Sequence, residues 1–130
     1  EFEAVMTHCS MPRTDDDGMW ISDEIIEVYS QLHRLGFAHS VEAWQHGQLV
    51  GGLYGVSLGK VFFGESMFHL VPNASKVAFH ALIVRLREKK FGLLDSQFMN
   101  DNVRRLGAEE ISKKEFLYLL KKYVSLEKFF

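Results

Sequence analysis

One cysteine, two prolines and no apolar run approaching about 18 residues are what this 130-residue chain has least of. With Cys9 alone, no disulfide can close within the chain, and a reducing compartment, the cytoplasm, is the expected setting. Without a long apolar run no membrane-spanning helix is expected, and no membrane partner with it. Two prolines and ten glycines leave no low-complexity linker, so a single domain is expected. A chain of this length buries a core without metal or disulfide staples. The six histidines are scattered without metal-ligand spacing, so no metal is expected. Ser66, Ser75 and Ser96 lack the strand–turn–helix setting of a nucleophile elbow, which leaves a Ser/His/Asp triad unsupported.

What is present is unevenly charged. Residues 1–72 hold three basic groups against ten acidic ones, net −7, and residues 73–130 hold twelve against seven, net +5. Such halves suit a protein that meets both a polyanion and a cation, although solvated helix faces account for the same counts.

Residues 2–9 place Phe2, Val5, Met6 and Cys9 on one side of a helix. Pro12 and Asp15-Asp16-Asp17-Gly18 break it. Ser22 is an expected N-cap, followed by Asp23 and Glu24 in the first turn of a helix that Gly36 ends. Ile25, Ile26, Val28, Tyr29, Leu32 and Leu35 supply its apolar face. Three strands follow as an antiparallel meander: Ala38–Trp44, Leu49–Val56 and Val61–Phe63, with turns at His46-Gly47 and Leu58-Gly59. Gly51, Gly52 and Gly55 inside the second strand mark a bulge or a close backbone approach. Asn73 is expected to cap a long helix over about 74–90 with a basic end, before a strand over 92–98. A short helical piece runs through Val103–Leu106, and Ser112-Lys-Lys-Glu115 reads as the capping box of a last helix. The order predicts an α+β fold with a mostly antiparallel sheet.

The most informative stretch is Gly92-Leu-Leu-Asp95-Ser-Gln97-Phe-Met-Asn100-Asp101. Asp95 and Gln97 stand two apart, so in an extended chain both leave one face. A charge and an amide at the end of an apolar strand need partners. A cap on a neighbouring loop and a reactive pair are both open on these residues alone.

The element order, one long helix after a meander and then a strand, looks like the GCN5-related acetyltransferase (GNAT) fold. An acyl-CoA enzyme of that fold carries a glycine loop at the start of the long helix to cradle the pyrophosphate. Here Leu70-Val-Pro-Asn-Ala-Ser-Lys76 contains no glycine, so a CoA site is not expected and no cofactor is.

Gly51-Gly-Leu-Tyr-Gly55, Phe63-Gly-Glu-Ser-Met-Phe68, Asn73-Ala-Ser-Lys76 and Leu94-Asp-Ser-Gln97 with Asn100-Asp101 and Leu106-Gly107 together resemble the bacterial leucyl/phenylalanyl-tRNA–protein transferase family. Trp20-Ile21, Val28-Tyr29 and His39–Trp44 extend the resemblance over nearly the whole chain. It implies transfer of Leu, Phe or Met from aminoacyl-tRNA to proteins whose first residue is Arg or Lys, marking them for degradation. It also implies that residues 1–130 form a single GNAT-like catalytic domain, and that the smaller N-terminal domain of the family lies outside this chain, which opens Glu1-Phe2-Glu3 without a methionine.

The implied chemistry is aminolysis of an activated ester. An α-amine with a pKa of about 8 needs neither a strong base nor a covalent nucleophile, only orientation and a proton acceptor. The resemblance puts Asp95 and Gln97 there, with Asp95 orienting and polarising Gln97, whose carbonyl oxygen accepts a hydrogen bond from the amine. Ser96 between them is expected to touch substrate. Glu65 is expected to hold the acceptor's cation or the substrate amine, with a structural salt bridge as the alternative. Leu53, Phe62, Leu82 and Leu94 are expected to line the donor's apolar pocket, and Trp20 and Tyr29 to stack on the terminal adenosine, each with core packing as the alternative. Lys76, Arg85, Arg87, Lys89 and Lys90, with Arg104, Arg105, Lys113 and Lys114, are candidate tRNA phosphate contacts. An acyl-CoA-dependent N-acyltransferase and a non-catalytic tRNA- or degron-binding module are the competing readings.

Overall fold

Two amphipathic helices start the chain and cover one face of a sheet. The computed structural model describes residues 1–10, 23–96, 113–124 and 130. Trp20, Gln97, Arg104, Arg105 and the expected short helix over Val103–Leu106 lie outside the described residues. Helix α1 (Phe2–Cys9) buries the expected stripe of Phe2, Val5, Met6 and Cys9. Helix α2 (Asp23–Arg34) packs Ile25, Ile26, Tyr29 and Leu32 against that stripe. Val28 and Leu35, expected on the same apolar face, are solvent-exposed instead, because the buried arc of α2 is narrower than the hydrophobic one. Gly36, at φ 89°, ends α2, and the Phe37 amide reaches back to the Leu32 carbonyl at 2.9 Å.

Strands β1 (Ala38–Gln45), β2 (Gln48–Leu58) and β3 (Val61–His69) form the antiparallel meander. Helix α3 (Ala74–Glu88) crosses over to β4 (Leu93–Ser96), which joins β3 in parallel, so the sheet order is β1-β2-β3-β4. Helix α4 (Lys113–Val124) follows. The third strand is longer than its apolar run, Val61–Phe63, because a bulge lets it continue through Gly64-Glu65-Ser66 to His69.

Successive residues of β2 serve opposite cores. Tyr54 joins Phe2, Val5, Met6, Ala38 and Phe68 beneath α1 and α2. Leu53 joins Phe62, Ala78, Phe79, Leu82 and Leu86 beneath α3. The sheet is thus buried on both faces.

Two expectations about α3 need correction. Asn73 holds the N-cap position, but at φ 68° and without a side-chain cap bond; the left-handed turn points its amide away from the helix amides. The helix stops at Glu88 rather than about 90, because Lys90 adopts φ 58° and the Phe91 amide reaches the Leu86 carbonyl at 2.9 Å, the same closure that Gly36 gives α2. A lysine in this left-handed conformation carries a strain of about 1 kcal/mol that glycine avoids. Lys90→Gly is therefore expected to raise stability by about that amount, read as a higher urea midpoint with unchanged slope.

Candidate active site

The parallel ladder between β3 and β4 pairs Phe63 with Asp95 and Gly64 with Ser96. One residue further on β3, the β2 register jumps from Gly55↔Gly64 to Tyr54↔Ser66, so Glu65 has no partner across the strand. This is a β-bulge, a device that re-aims a side chain. Gly55 sits opposite it for a steric reason: a Cβ there would lie 2.3 Å from the Phe63 carbonyl oxygen and 2.6 Å from the Phe62 ring.

Alternation fixes the faces. Phe62 and Leu94 pack under α3, so Phe63 and Asp95 leave the opposite side, the one that carries Tyr54 and α2. Asp95 and Glu65 are half-buried there, and neither has a hydrogen bond or ion pair with a described residue. Burial, and then the nearby Asp95, pushes the Glu65 carboxyl above its ordinary value, while burial pushes Asp95 up. Tyr29 and Tyr54 meet edge-on, ring centroids 5.6 Å apart. Both phenols are held above their ordinary value, by burial first, with Glu65 contributing to each. Asp95, Glu65, Tyr29 and Tyr54 thus share one electrostatic neighbourhood, acidic and without a compensating cation among the described residues. It can accept hydrogen bonds from an amine, hold a cationic group and take up a proton.

Glu65 gives a pH test. A carboxyl raised on folding contributes stability that is full below its unfolded value, about 4.3, and is lost as pH rises through the folded value. Glu65→Gln is expected to remove that decline, so urea midpoints of variant and wild type converge at acid pH and the variant becomes the more stable towards neutrality. A variant less stable at neutral pH would mean that Glu65 serves a salt bridge.

The other expected residues are placed as follows. Tyr29 joins the carboxylates. Leu53, Phe62 and Leu82 show no solvent exposure and pack together under α3, with Leu94 half-buried at their edge. They lie across the sheet from Asp95, so a ligand meets them only where the sheet opens beside the bulge. Ser96 is fixed by its backbone pairing to Gly64. Lys76 lies in the first turn of α3, and Arg85, Arg87, Lys89 and Lys90 lie at its other end. The Arg85 Nε donates to the Phe130 carbonyl at 2.7 Å and its guanidinium lies 5.4 Å over that ring. Tyr54 is a site residue that the sequence did not single out; its signal was a large phenol between Gly52 and Gly55. Among the described residues no three His, Cys, Asp or Glu side chains form a metal cluster, and no helix is long and apolar enough to cross a membrane.

The family model described as leucyl/phenylalanyl-tRNA protein transferase matches residues 1–121. A protein of Prosthecochloris aestuarii named leucyl/phenylalanyl-tRNA–protein transferase is 55% identical over 117 residues, 90% of this chain and 60% of that relative. One of the same name from Chlorobaculum parvum is 53% identical over 129 residues, 99% of this chain and 66% of the relative. The chain thus spans somewhat less than two thirds of the length of these curated relatives. Among solved structures, AAC(6')-Iy in complex with the bisubstrate analogue CoA-S-monomethyl-acetylneamine is similar at TM-score 0.56 and 15% identity, covering 86% of this chain and 84% of the other. At that identity the likeness shows the fold alone, α+β and GNAT-like.

Proposed function

This chain belongs to the leucyl/phenylalanyl-tRNA protein transferase family, and on that premise we propose that it carries the catalytic domain of an enzyme that moves Leu or Phe, and Met, from aminoacyl-tRNA to the N-terminal Arg or Lys of acceptor proteins. In this reading the tagged proteins are marked for degradation in the cytoplasm. The observation that carries it is the uncompensated pair Glu65 and Asp95 on one face, beside Tyr29 and Tyr54. A half-buried acidic pair suits an acceptor that brings a cationic side chain together with an amine.

The reaction joins the acceptor's α-nitrogen to the ester carbonyl and breaks the bond to the ribose oxygen, which leaves with a proton. The amine must lose its proton as the new bond forms. Asp95, raised by burial, is a stronger proton acceptor than an ordinary carboxylate. With Gln97, which it orients, it takes the amine's hydrogen bond and directs the nitrogen lone pair at the carbonyl. Glu65 holds the guanidinium or ammonium of the acceptor. Tyr29 supplies an aromatic face for the terminal adenosine, together with Trp20. Leu53, Phe62, Leu82 and Leu94, with Ser96 next along β4, form the apolar wall for the donor side chain, reached where the bulge parts β3 from β2. A wall of this kind separates a methylene only modestly, which suits a Leu, Phe and Met range. No cofactor takes part.

The test uses labelled Phe-tRNA with two peptides that differ only in a first residue of Arg or Ala. Label on the Arg peptide alone is the expected result. Label on neither peptide, with tRNA still bound, would leave a binding module in its place. The fold likeness favours an acyl-CoA reaction as the second reading; the glycine-free Leu70–Lys76 stretch speaks against it, and measurable CoA binding would restore it.

A further inference from the structure

The end of the sheet remote from the carboxylates gathers cations that the proposed chemistry leaves unused. Three segments meet there: the β2–β3 turn, the chain leaving α3, and the last turn of α4. The Lys60 amide donates to the Tyr123 carbonyl at 2.9 Å, and the Gly92 amide donates to the Lys60 carbonyl at 2.8 Å. The Tyr123 ring lies so close over Gly92 that a Cβ there would sit 2.3 Å from it. These contacts collect Lys60, Arg87, Lys89, Lys90, Lys121 and Lys122 around one end, and none forms an ion pair with a described residue. Arg87, Lys90, Lys121 and Lys122 are exposed, and Lys60 and Lys89 half-buried. Like charges held together repel, and Lys90 adds the strain of its left-handed backbone. A polyanion relieves the repulsion.

We propose that this end is the docking surface for the phosphate backbone of the tRNA acceptor stem, an inference that rests on the reading of the chain as an aminoacyl-tRNA transferase. The geometry supports it. Lys60 precedes Val61, whose parallel partner is Leu93. Along the strands Asp95 lies two residues beyond that pair and Glu65 four, roughly 7 to 13 Å at about 3.3 Å per residue. A tRNA carries its ester on a few unpaired nucleotides beyond the stem. A stem held at the basic end therefore lays the ester at the carboxylates, while their negative charge keeps the phosphates from sliding into the site. Lys76, at the opposite end of α3, takes no part in this surface.

The test measures tRNA affinity of the intact protein against salt concentration for wild type, Lys121→Ala/Lys122→Ala, Lys89→Ala/Lys90→Ala and Lys90→Gly. Removing one cation that neutralises a phosphate flattens the plot of log affinity against log salt by about one unit, so each double variant is expected to flatten it by up to about two. The effect is expected to be the same for Leu-tRNA, Phe-tRNA and uncharged tRNA, with the transfer rate at saturating donor unchanged. Lys90→Gly separates binding from folding, since it is expected to bind more weakly while being the more stable protein. Unchanged slopes in both double variants would overturn the docking surface, as would an equal loss of affinity in Lys76→Ala or a loss seen only with anionic vesicles. Transfer to the Arg peptide with unaltered slopes would remove this surface alone; altered slopes in a protein that transfers nothing would remove the enzymatic reading instead.

Discussion

Asp95→Asn is expected to lower the rate of Leu or Phe transfer at saturating substrates by about 10²- to 10⁴-fold, the range for loss of a positioned proton acceptor, while leaving aminoacyl-tRNA affinity essentially unchanged. The amide keeps the size and shape of the carboxyl and removes its charge and basicity. The same substitution is expected to leave the protein as stable as wild type at neutral pH, or more so. Asp95 has no hydrogen bond or ion pair with a described residue, and burial holds its carboxyl above the ordinary value. A group of that kind contributes its stability at acid pH and loses it as pH rises through the folded value, so removing the charge helps the fold where the enzyme works. A structural carboxylate behaves oppositely: its loss destabilises, and activity falls only with the folded fraction. Transfer kinetics beside a urea titration at one pH therefore decide the role. A slow but stable variant supports it, and a destabilised variant with a normal rate per folded molecule would end it.

How much of this was legible in the sequence depends on which interaction decides each feature. Helices α1 and α2 and the meander follow from local periodicity and turn chemistry, and the sequence places them within a residue or two. The glycines of β2 also announce their purpose: a Cβ at Gly51 would fall 2.6 Å from that of Ala74, where α3 starts, and Gly55 faces the bulge. The bulge itself was hidden, because Phe63-Gly-Glu-Ser reads equally well as the end of a strand. Which side chain faces which helix was hidden too. A sheet covered on both sides is apolar on both, so alternation separates Leu53 from Tyr54 without saying which one borders the carboxylates. For that reason Leu53 entered the expected site and Tyr54 did not. The basic end is a third case. Lys60 lies about 60 residues before Lys121 and Lys122, and only the amide bond from Lys60 to Tyr123 brings them together.

Gly55→Ala is the substitution expected to damage the fold most for its size, by roughly 3 kcal/mol or more. One methyl group would have to occupy space 2.3 Å from the Phe63 carbonyl oxygen and 2.6 Å from the Phe62 ring. The first contact is backbone within a sheet, and the second is a ring with no exposed surface, so neither yields without moving β3. Against a typical stability of about 5–15 kcal/mol this is a large share, equivalent to a melting temperature lower by about 10 °C or more. The displacement also reaches the chemistry. Phe63 is the parallel partner of Asp95, and two residues beyond it the bulge aims Glu65, so shifting the Phe63 carbonyl moves both carboxylates. Transfer measured well below the melting transition is therefore expected to fall in protein that is still folded, because misplacement of reacting groups by about an ångström is felt strongly in rate. Gly47→Ala is the matching control: its φ of 77° makes alanine strained, but nothing lies within 4 Å, so about 1 kcal/mol is lost and the transfer rate is kept. If the two variants lose stability equally and both transfer normally, the close approach at the bulge does not hold the carboxylates in place.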